Sequence, residues 1–150
     1  MIRRGSSLPL APMNRFLLSA SILATATTAI HAFAGGNDVA TPLLASQLSE
    51  ETRLTLYAVW HMATVALGLS ASAFFVGAIP RYSAGSRSMV QFASVLWLAF
   101  GAVFVVVAAT QPGSGLFLKL PQWVLLVPVG LLAWLGANNS FKPKPLRGSP

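Results

Sequence analysis

Two histidines and one aspartate are the side chains whose types and positions could support chemistry in this chain. His31 lies near the end of the first apolar stretch and His61 near the beginning of the second, so two antiparallel helices would hold them at a similar depth. Neutral imidazole binds haem iron and transition metals, and a carboxylate can complete a metal site. The sequence therefore offers His31 and His61 as candidate cofactor ligands, with Asp38 as a third candidate metal ligand.

Both histidines are predicted to lie on helix faces made of small and polar residues, at about 100° per residue. The companions of His31 are Thr27, Ala24 and Ala20, and those of His61 are Thr64, Gly68 and Ser72. Such faces let membrane helices approach and exchange hydrogen bonds. Three interpretations stay open: structural pairing of each histidine with a neighbouring helix, joint binding of haem or a transition metal, and proton handling.

Other chemistry is poorly supported by the composition. The chain has no cysteine, which excludes disulfides, thiolate metal sites and cysteine nucleophiles. Charged residues are absent from the interior of the apolar stretches except Lys119 at one margin, whereas a proton relay needs several stations. No G-x-S-x-G turn is present. We therefore expect a protein without catalysis of its own.

Four long apolar stretches are the elements that must position these side chains. They cover residues 16–34, 54–79, 89–110 and 120–137. At a rise of about 1.5 Å per residue, their lengths bracket the roughly 30 Å hydrocarbon layer. The chain is 55% hydrophobic and only 9% charged, unlike a soluble domain. We predict an all-α fold, an integral membrane four-helix bundle.

Positive charges fall on alternate sides of these stretches. Only Arg53 and Lys119 lie on one side, and the other eight of the ten lie on the opposite side. Those eight are Arg3, Arg4, Arg15, Arg81, Arg87, Lys142, Lys144 and Arg147. Cytoplasmic loops retain Lys and Arg. Both termini are therefore predicted to be cytoplasmic, in a multi-pass protein of the bacterial inner membrane.

The net charge of +7 is carried by scattered residues rather than by one aromatic-studded basic face, which argues against nucleic acid. We assign it to orientation and to contact with anionic lipid. Residues 1–15 are predicted to be a disordered basic tail, with Met13 as an alternative start, and residues 138–150 a basic tail that contains prolines.

The first stretch has an alternative interpretation as a signal peptide cleaved after Ala34, because Ala32-Phe33-Ala34 matches an A-x-A site. Its length exceeds the usual apolar core of such peptides, so we favour a retained helix. Gly35-Gly36 is predicted to end this helix, with a left-handed cap. Glu50 and Glu51 after Ser49 are predicted to cap the second helix, where acids meet the positive end of its dipole.

The tight connection at residues 80–87 predicts that the second and third helices are antiparallel neighbours. A further stripe of small residues lies on the second helix, roughly opposite His61, and is a candidate helix-packing surface. Its members are Ala63, Ala66, Ser70, Ala73 and Gly77. It can receive the third or fourth helix, or a partner protein.

Two segments carry a resemblance. The first contains Ala29-Ile30-His31, Gly35-Gly36 and Pro42-Leu43-Leu44, and the second runs from Tyr57 to Thr64 with Trp60-His61. Together they resemble a group of small uncharacterised bacterial membrane proteins. The resemblance covers about residues 29–68. It implies a bacterial four-helix membrane protein and a pairing of His31 with His61. It implies no activity.

The combined expectation is a small accessory or structural membrane subunit, or a binding module. Its partners would be the lipid bilayer and either a larger membrane complex or further copies of itself. The alternative is a haem- or transition-metal-binding membrane protein that uses His31 and His61, with Asp38 as the additional metal ligand. A small transporter is the second alternative.

Overall fold

The computed structural model describes residues 12–139, and every regular element in that range is helical. The elements are α1 (Arg15–Gly35), a π-helical turn (Gly36–Ala40), α2 (Thr41–Leu44), α3 (Glu50–Ala78), α4 (Ser83–Thr110), α5 (Leu116–Lys119) and α6 (Trp123–Asn139). Three helical stretches are long and apolar enough to cross a membrane, namely Arg15–Leu44, Glu50–Ala78 and Ser83–Thr110. These helices indicate a membrane protein of the all-α class. Apart from residues 12–15 and 138–139, the two predicted tails lie outside the described residues.

The first helix does not end at Gly35-Gly36, so the predicted cap is wrong. Both glycines have right-handed φ angles, −62° and −58°, and the helical path continues to Leu44. Glycine permits a left-handed cap but does not require one. The π-helical turn lies directly before Pro42, which has no N–H and whose ring needs room at the preceding turn. Residues 35–53, which separate the first two predicted stretches, are therefore mostly helical.

The predicted cap of α3 is confirmed. The Ser49 hydroxyl accepts a hydrogen bond from the Thr52 backbone N–H at 3.4 Å, and Glu50 and Glu51 occupy the first turn. α3 begins at Glu50, four residues before the predicted start at Leu54. Apolar content alone therefore underestimates the length of α3, because the first turn of this helix is polar. The helix dipole favours acidic residues in that turn.

α3 and α4 are neighbours joined by a connection of only four residues, 79–82, as predicted. Ile79 has extended backbone with ψ 122°, which is the conformation that a following proline imposes. α4 begins at Ser83, six residues before the predicted start at Met89. α6 begins at Trp123, just after Pro121, three residues after the predicted start at Leu120.

The long helices are arranged so that α1 packs against α3 and α6, and α4 packs against α6 and α3. The end where α1 and α4 begin is called the Asn14 end, and the opposite end, where α3 and α6 begin, is called the Trp60 end. The core between the helices contains one large aromatic pair, Phe74 and Trp97, both fully buried. The rest of the core is aliphatic and small: Leu17, Ala20, Ala24, Val90, Val129 and Ala133.

Glycines at the α4–α6 contact allow the two backbones to approach closely. A Cβ atom added to Gly101 would lie 2.7 Å from Val127, and one added to Gly130 would lie 3.0 Å from the Ser94 carbonyl oxygen. Both distances are shorter than van der Waals contact. Both glycines therefore lie where a larger residue would push the two helices apart.

Large apolar side chains cover much of the outside of the helices. Leu69 and Phe92 are 67% and 72% exposed, and Met62 is 68% exposed. A soluble monomer rarely exposes apolar surface in such contiguous amounts. This surface fits the hydrocarbon of a membrane.

Candidate functional site

The candidate histidines lie toward the Trp60 end, where α1 and α3 contact each other. We call His31, Gly35, Tyr57, Trp60 and His61 the His31 cluster. α1 supplies His31 and Gly35, which are one helical turn apart and therefore lie on the same face. α3 supplies the other three from two successive turns.

His31 is held by Trp60 rather than by His61. The two rings stack with centroids 3.9 Å apart and planes 19° apart. His31 Nε2 lies 3.4 Å from the Trp60 carbonyl oxygen and donates a long hydrogen bond to it in the Nε2-protonated tautomer. His31 thus joins α1 to both the side chain and the backbone of one residue of α3.

Gly35 makes room for the Trp60 indole. A Cβ atom at Gly35 would lie 2.8 Å from Cη2 and 3.1 Å from Cζ2 of that ring. The indole therefore rests on the face that His31 and Gly35 share. This contact gives a physical reason for the His-x-x-x-Gly spacing of His31 and Gly35. The Thr64 hydroxyl also donates to the Trp60 carbonyl oxygen, at 3.1 Å, which gives a reason for the Trp-His-x-x-Thr spacing.

His61 has a different environment. Its ring meets the Tyr57 ring edge to face, with centroids 4.5 Å apart and planes 87° apart, and the residue is exposed. α3 instead buries Leu67, Ala71, Phe74 and Ala78, a line about a third of a turn away from His61. The Leu67 and Phe74 side chains of this line fill the core more effectively than the small residues of the His61 face. The His61 face is therefore only half covered.

The face predicted for His31 is confirmed, since Ala20, Ala24 and Thr27 are buried. The face predicted for His61 lies at the edge of the α1–α3 contact: Thr64 and Gly68 are half-buried, and Ser72 is exposed. The two histidine faces therefore meet along one edge instead of packing fully together.

The structure does not assemble the predicted three-ligand metal set. Within residues 12–139, no group of three or more His, Asp or Glu side chains could hold a metal ion. Asp38 is exposed on the π-helical turn. The turn carries Asp38 because the helix continues past Gly35, whereas the prediction had placed it on a loop free to fold back. Haem binding by His31 and His61 is not tested by this geometry and stays a prediction.

A groove runs along the outer side of the α1–α3 contact and has a volume of about 610 Å³. We call it the α1–α3 groove. Its walls are formed mainly by small residues: Ser21, Thr25, Ala29 and Ala32 of α1, and Gly68 and Ser72 of α3. Phe33 and Phe75 also line it, and both are exposed.

The hydroxyl groups of the groove are already hydrogen-bonded. Thr25 and Thr28 donate to carbonyl oxygens one turn earlier in α1, and Ser72 donates to Gly68 in α3, at 2.8 to 3.0 Å. Ser21 differs because its hydroxyl donates to the other helix, to the Ala71 carbonyl oxygen of α3, at 3.1 Å. The groove therefore presents small apolar surface and satisfied polar groups.

The small-residue stripe on α3 is divided along its length. Ser70, Ala73 and Gly77 are buried, while Ala63 and Ala66 are half-buried. A Cβ atom at Gly77 would lie 2.6 Å from Val90 of α4 and 3.3 Å from Leu17 of α1. The part of the stripe from Ser70 to Gly77 therefore packs against other helices of the same chain.

Asn14 is a structurally important residue that sequence reasoning missed. Its side-chain oxygen accepts from the Leu17 N–H at 3.2 Å, and its side-chain nitrogen donates to the Gly136 carbonyl oxygen at 2.8 Å. Its backbone N–H donates to the Ala78 carbonyl oxygen at 3.0 Å. An asparagine directly before an apolar run is a helix N-cap signal that could have identified it.

Comparisons of the chain with protein-family models, with curated proteins and with solved structures found no match.

Proposed function

We propose that the protein is a four-helix integral membrane protein of the bacterial inner membrane with both termini in the cytoplasm. α6 would be the fourth span: it is 17 residues long, about 26 Å, and packs along α1 and α4. Arg15, Arg81 and Arg87 lie at the Asn14 end, which would face the cytoplasm, whereas Arg53 and Lys119 lie toward the opposite end. This distribution supports the orientation.

We also infer that α1 is retained rather than cleaved after Ala34. Leu17, Ala20 and Ala24 are core residues, and the Asn14 side chain hydrogen-bonds to α6. A chain beginning at Gly35 would lack these contacts and leave Ala71 and Gly136 without their neighbours Ser21 and Leu17 in α1.

The function we propose is that of an accessory subunit or binding module without its own catalysis, and the α1–α3 groove is the observation that carries it. Gly68 and Ser72 are spaced by four residues, as are Thr25 and Ala29, which is the spacing that lets a further helix approach closely. We propose that the occupant is a transmembrane helix of a partner subunit.

Two features favour a helix in this groove over a chemical substrate. The hydroxyls of Thr25, Thr28 and Ser72 are bonded to their own helices and are therefore weak candidates for ligand recognition. Both imidazoles contact aromatic rings. The shape of the groove therefore suits the packing of a helix.

Site-specific crosslinking tests this proposal, and the absence of cysteine makes the background clean. Ala29→Cys and Ser72→Cys, both exposed in the groove, would be crosslinked in native membranes. Val103→Cys on the outer face of α4, 58% exposed, is the matched control. We expect one defined adduct from both groove positions and none from the control.

Gly68→Leu tests whether the crosslinked adducts depend on the groove. A Cβ atom at Gly68 meets only Thr28, at 3.9 Å, so the added side chain extends into the groove without disturbing α1. The groove adducts should disappear in this variant. An adduct between two copies would identify self-association as the form of the interaction, and equal labelling at Val103 would contradict the proposal.

The haem or metal alternative is distinguished by the purified protein itself. It predicts a Soret band or stoichiometric metal that is lost in His31→Ala and His61→Ala. The transporter alternative predicts substrate flux in liposomes. Colourless, metal-free protein that supports no flux and yields the groove adduct would favour the accessory subunit.

A further inference from the structure

The Asn14 end carries positive charge that the fold itself does not neutralise with carboxylates. Arg15 is the first residue of α1, and Arg81 lies in the connection between α3 and α4; both are exposed. The only three acidic residues of the chain are Asp38, Glu50 and Glu51. All three lie at the opposite end, on the π-helical turn and in the first turn of α3.

Helix dipoles do not change the sign of this charge, because the N-termini of α1 and α4 share the Asn14 end with the C-termini of α3 and α6. α1 and α4 both begin at the Asn14 end, and neither has an acidic residue in its first turn. A helix N-terminus carries about half a positive charge and favours anions, so Arg15 opposes the dipole of its own helix. α3 has the reverse arrangement at the other end, with two acids in its first turn. The position of Arg15 therefore does not serve helix stability.

The contacts of the fold bring these charges onto one surface. The Asn14 backbone N–H bonds to the Ala78 carbonyl oxygen at 3.0 Å, which holds the start of α1 against the end of α3, three residues before Arg81. A Cβ at Gly77 would lie 3.3 Å from Leu17 and 3.4 Å from the Ser86 hydroxyl oxygen, so the first turns of α1 and α4 converge there. Arg81 lies over the Tyr82 ring, 5.6 Å from its centroid.

We propose that Arg15 and Arg81 form a binding surface for the phosphate groups of anionic phospholipids in the leaflet at the Asn14 end. The argument is charge complementarity: two exposed guanidinium groups lie at an end where the chain supplies no acidic side chain. Guanidinium binds phosphate oxygens through two parallel hydrogen bonds. Tyr82 beside Arg81 is a residue type common at the level of the headgroups.

Native mass spectrometry of the full chain tests the surface. Protein would be equilibrated with equal amounts of phosphatidylglycerol and phosphatidylcholine in detergent, and the retained lipid would be counted. We expect preferential retention of phosphatidylglycerol by the wild type. The double variant Arg15→Gln/Arg81→Gln should lower that preference by about fivefold per arginine, or roughly 25-fold.

The matched control is Arg53→Gln/Lys119→Gln, which removes two positive charges from the Trp60 end. It should keep the preference of the wild type. Equal loss in both double variants would contradict a local surface and indicate net charge alone. A wild type without preference for phosphatidylglycerol would overturn the proposal even if the arginine variant failed to fold.

Discussion

Asn14 connects three helices through one short side chain and its own backbone N–H. Replacement by alanine removes the cap of α1 and leaves the Gly136 carbonyl oxygen without this donor. We expect Asn14→Ala to lower the free energy of unfolding by about 1–2 kcal/mol. Thermal unfolding in detergent, followed by circular dichroism, measures the change.

Asn37→Ala is the control for this prediction, because Asn37 is exposed on the π-helical turn. It should change stability by less than about 0.5 kcal/mol. Asn14→Asp separates the two roles of the side chain: it keeps the acceptor for Leu17 but loses the donor to Gly136. An Asn14→Ala protein as stable as the control would refute the connection.

Gly35 and Gly36 are adjacent glycines with opposite expected responses to alanine. Gly35→Ala forces a methyl group against the Trp60 indole, 2.8 Å away, and should cost about 1–3 kcal/mol. Gly36→Ala meets nothing within 4 Å and should be neutral or stabilising by up to about 1 kcal/mol, because alanine favours helix. Chemical unfolding of the two variants side by side would reveal the difference. Equal midpoints would contradict the role assigned to Gly35.

At this scale the sequence predicted which histidines meet the α1–α3 contact but not what they touch. His31 was assigned correctly to the buried face of α1 because helical phase is fixed by 3.6 residues per turn. Its partner could not be predicted, since the rotation of α3 is set by how Leu67 and Phe74 fill the core. With α3 in this rotation, His31 stacks on Trp60 and His61 contacts Tyr57.

At the scale of elements, α1 and α3 are joined by a buried hydrogen bond in the part of their contact nearer the Asn14 end. Ser21→Ala removes the bond from its hydroxyl to the Ala71 carbonyl oxygen and should cost about 0.5–2 kcal/mol. Ser72→Ala is the matched control, because the Ser72 hydroxyl bonds within α3 and is exposed. Unfolding midpoints of both variants measure the cost. A larger loss in Ser72→Ala would contradict this assignment.

Element boundaries were predicted best where a residue imposes a conformation and worst where it only permits one. Pro80 and the Ser49 cap mark real boundaries, because proline restricts its predecessor and serine satisfies a free N–H. Gly35-Gly36 did not mark one. α4 starts before its apolar stretch because polar residues such as Ser83 and Arg87 are compatible with helix.

At the scale of the whole molecule, the proposed orientation makes a direct prediction for accessibility. Single cysteines at Gln47 and Ser114 should react with a membrane-impermeant maleimide in intact cells, whereas Gly85→Cys should react only after the membrane is opened. All three positions are exposed, and a Cβ at Gly85 meets nothing within 4 Å. Labelling of Gly85→Cys in intact cells, with Gln47→Cys protected, would reverse the orientation.

The general architecture was more predictable than its contacts. Apolar length reflects the thickness of the membrane, which acts on each segment separately, and it predicted the three long apolar helices. The order of neighbours depends on matching surfaces far apart in sequence. Gly101 with Val127, and Leu17 with Gly136, are contacts that no local pattern specifies.

The hydrogen bond between Asn14 and Gly136 spans 122 positions of the chain, so the start of α1 gains this contact only after α6 has been synthesised. Until α6 docks, the Asn14 amide lacks this acceptor and the Leu17 side chain lacks its contact with Gly136. We expect nascent or truncated copies to be recognisable to membrane proteases by that amide. Copies in which α6 has docked conceal it.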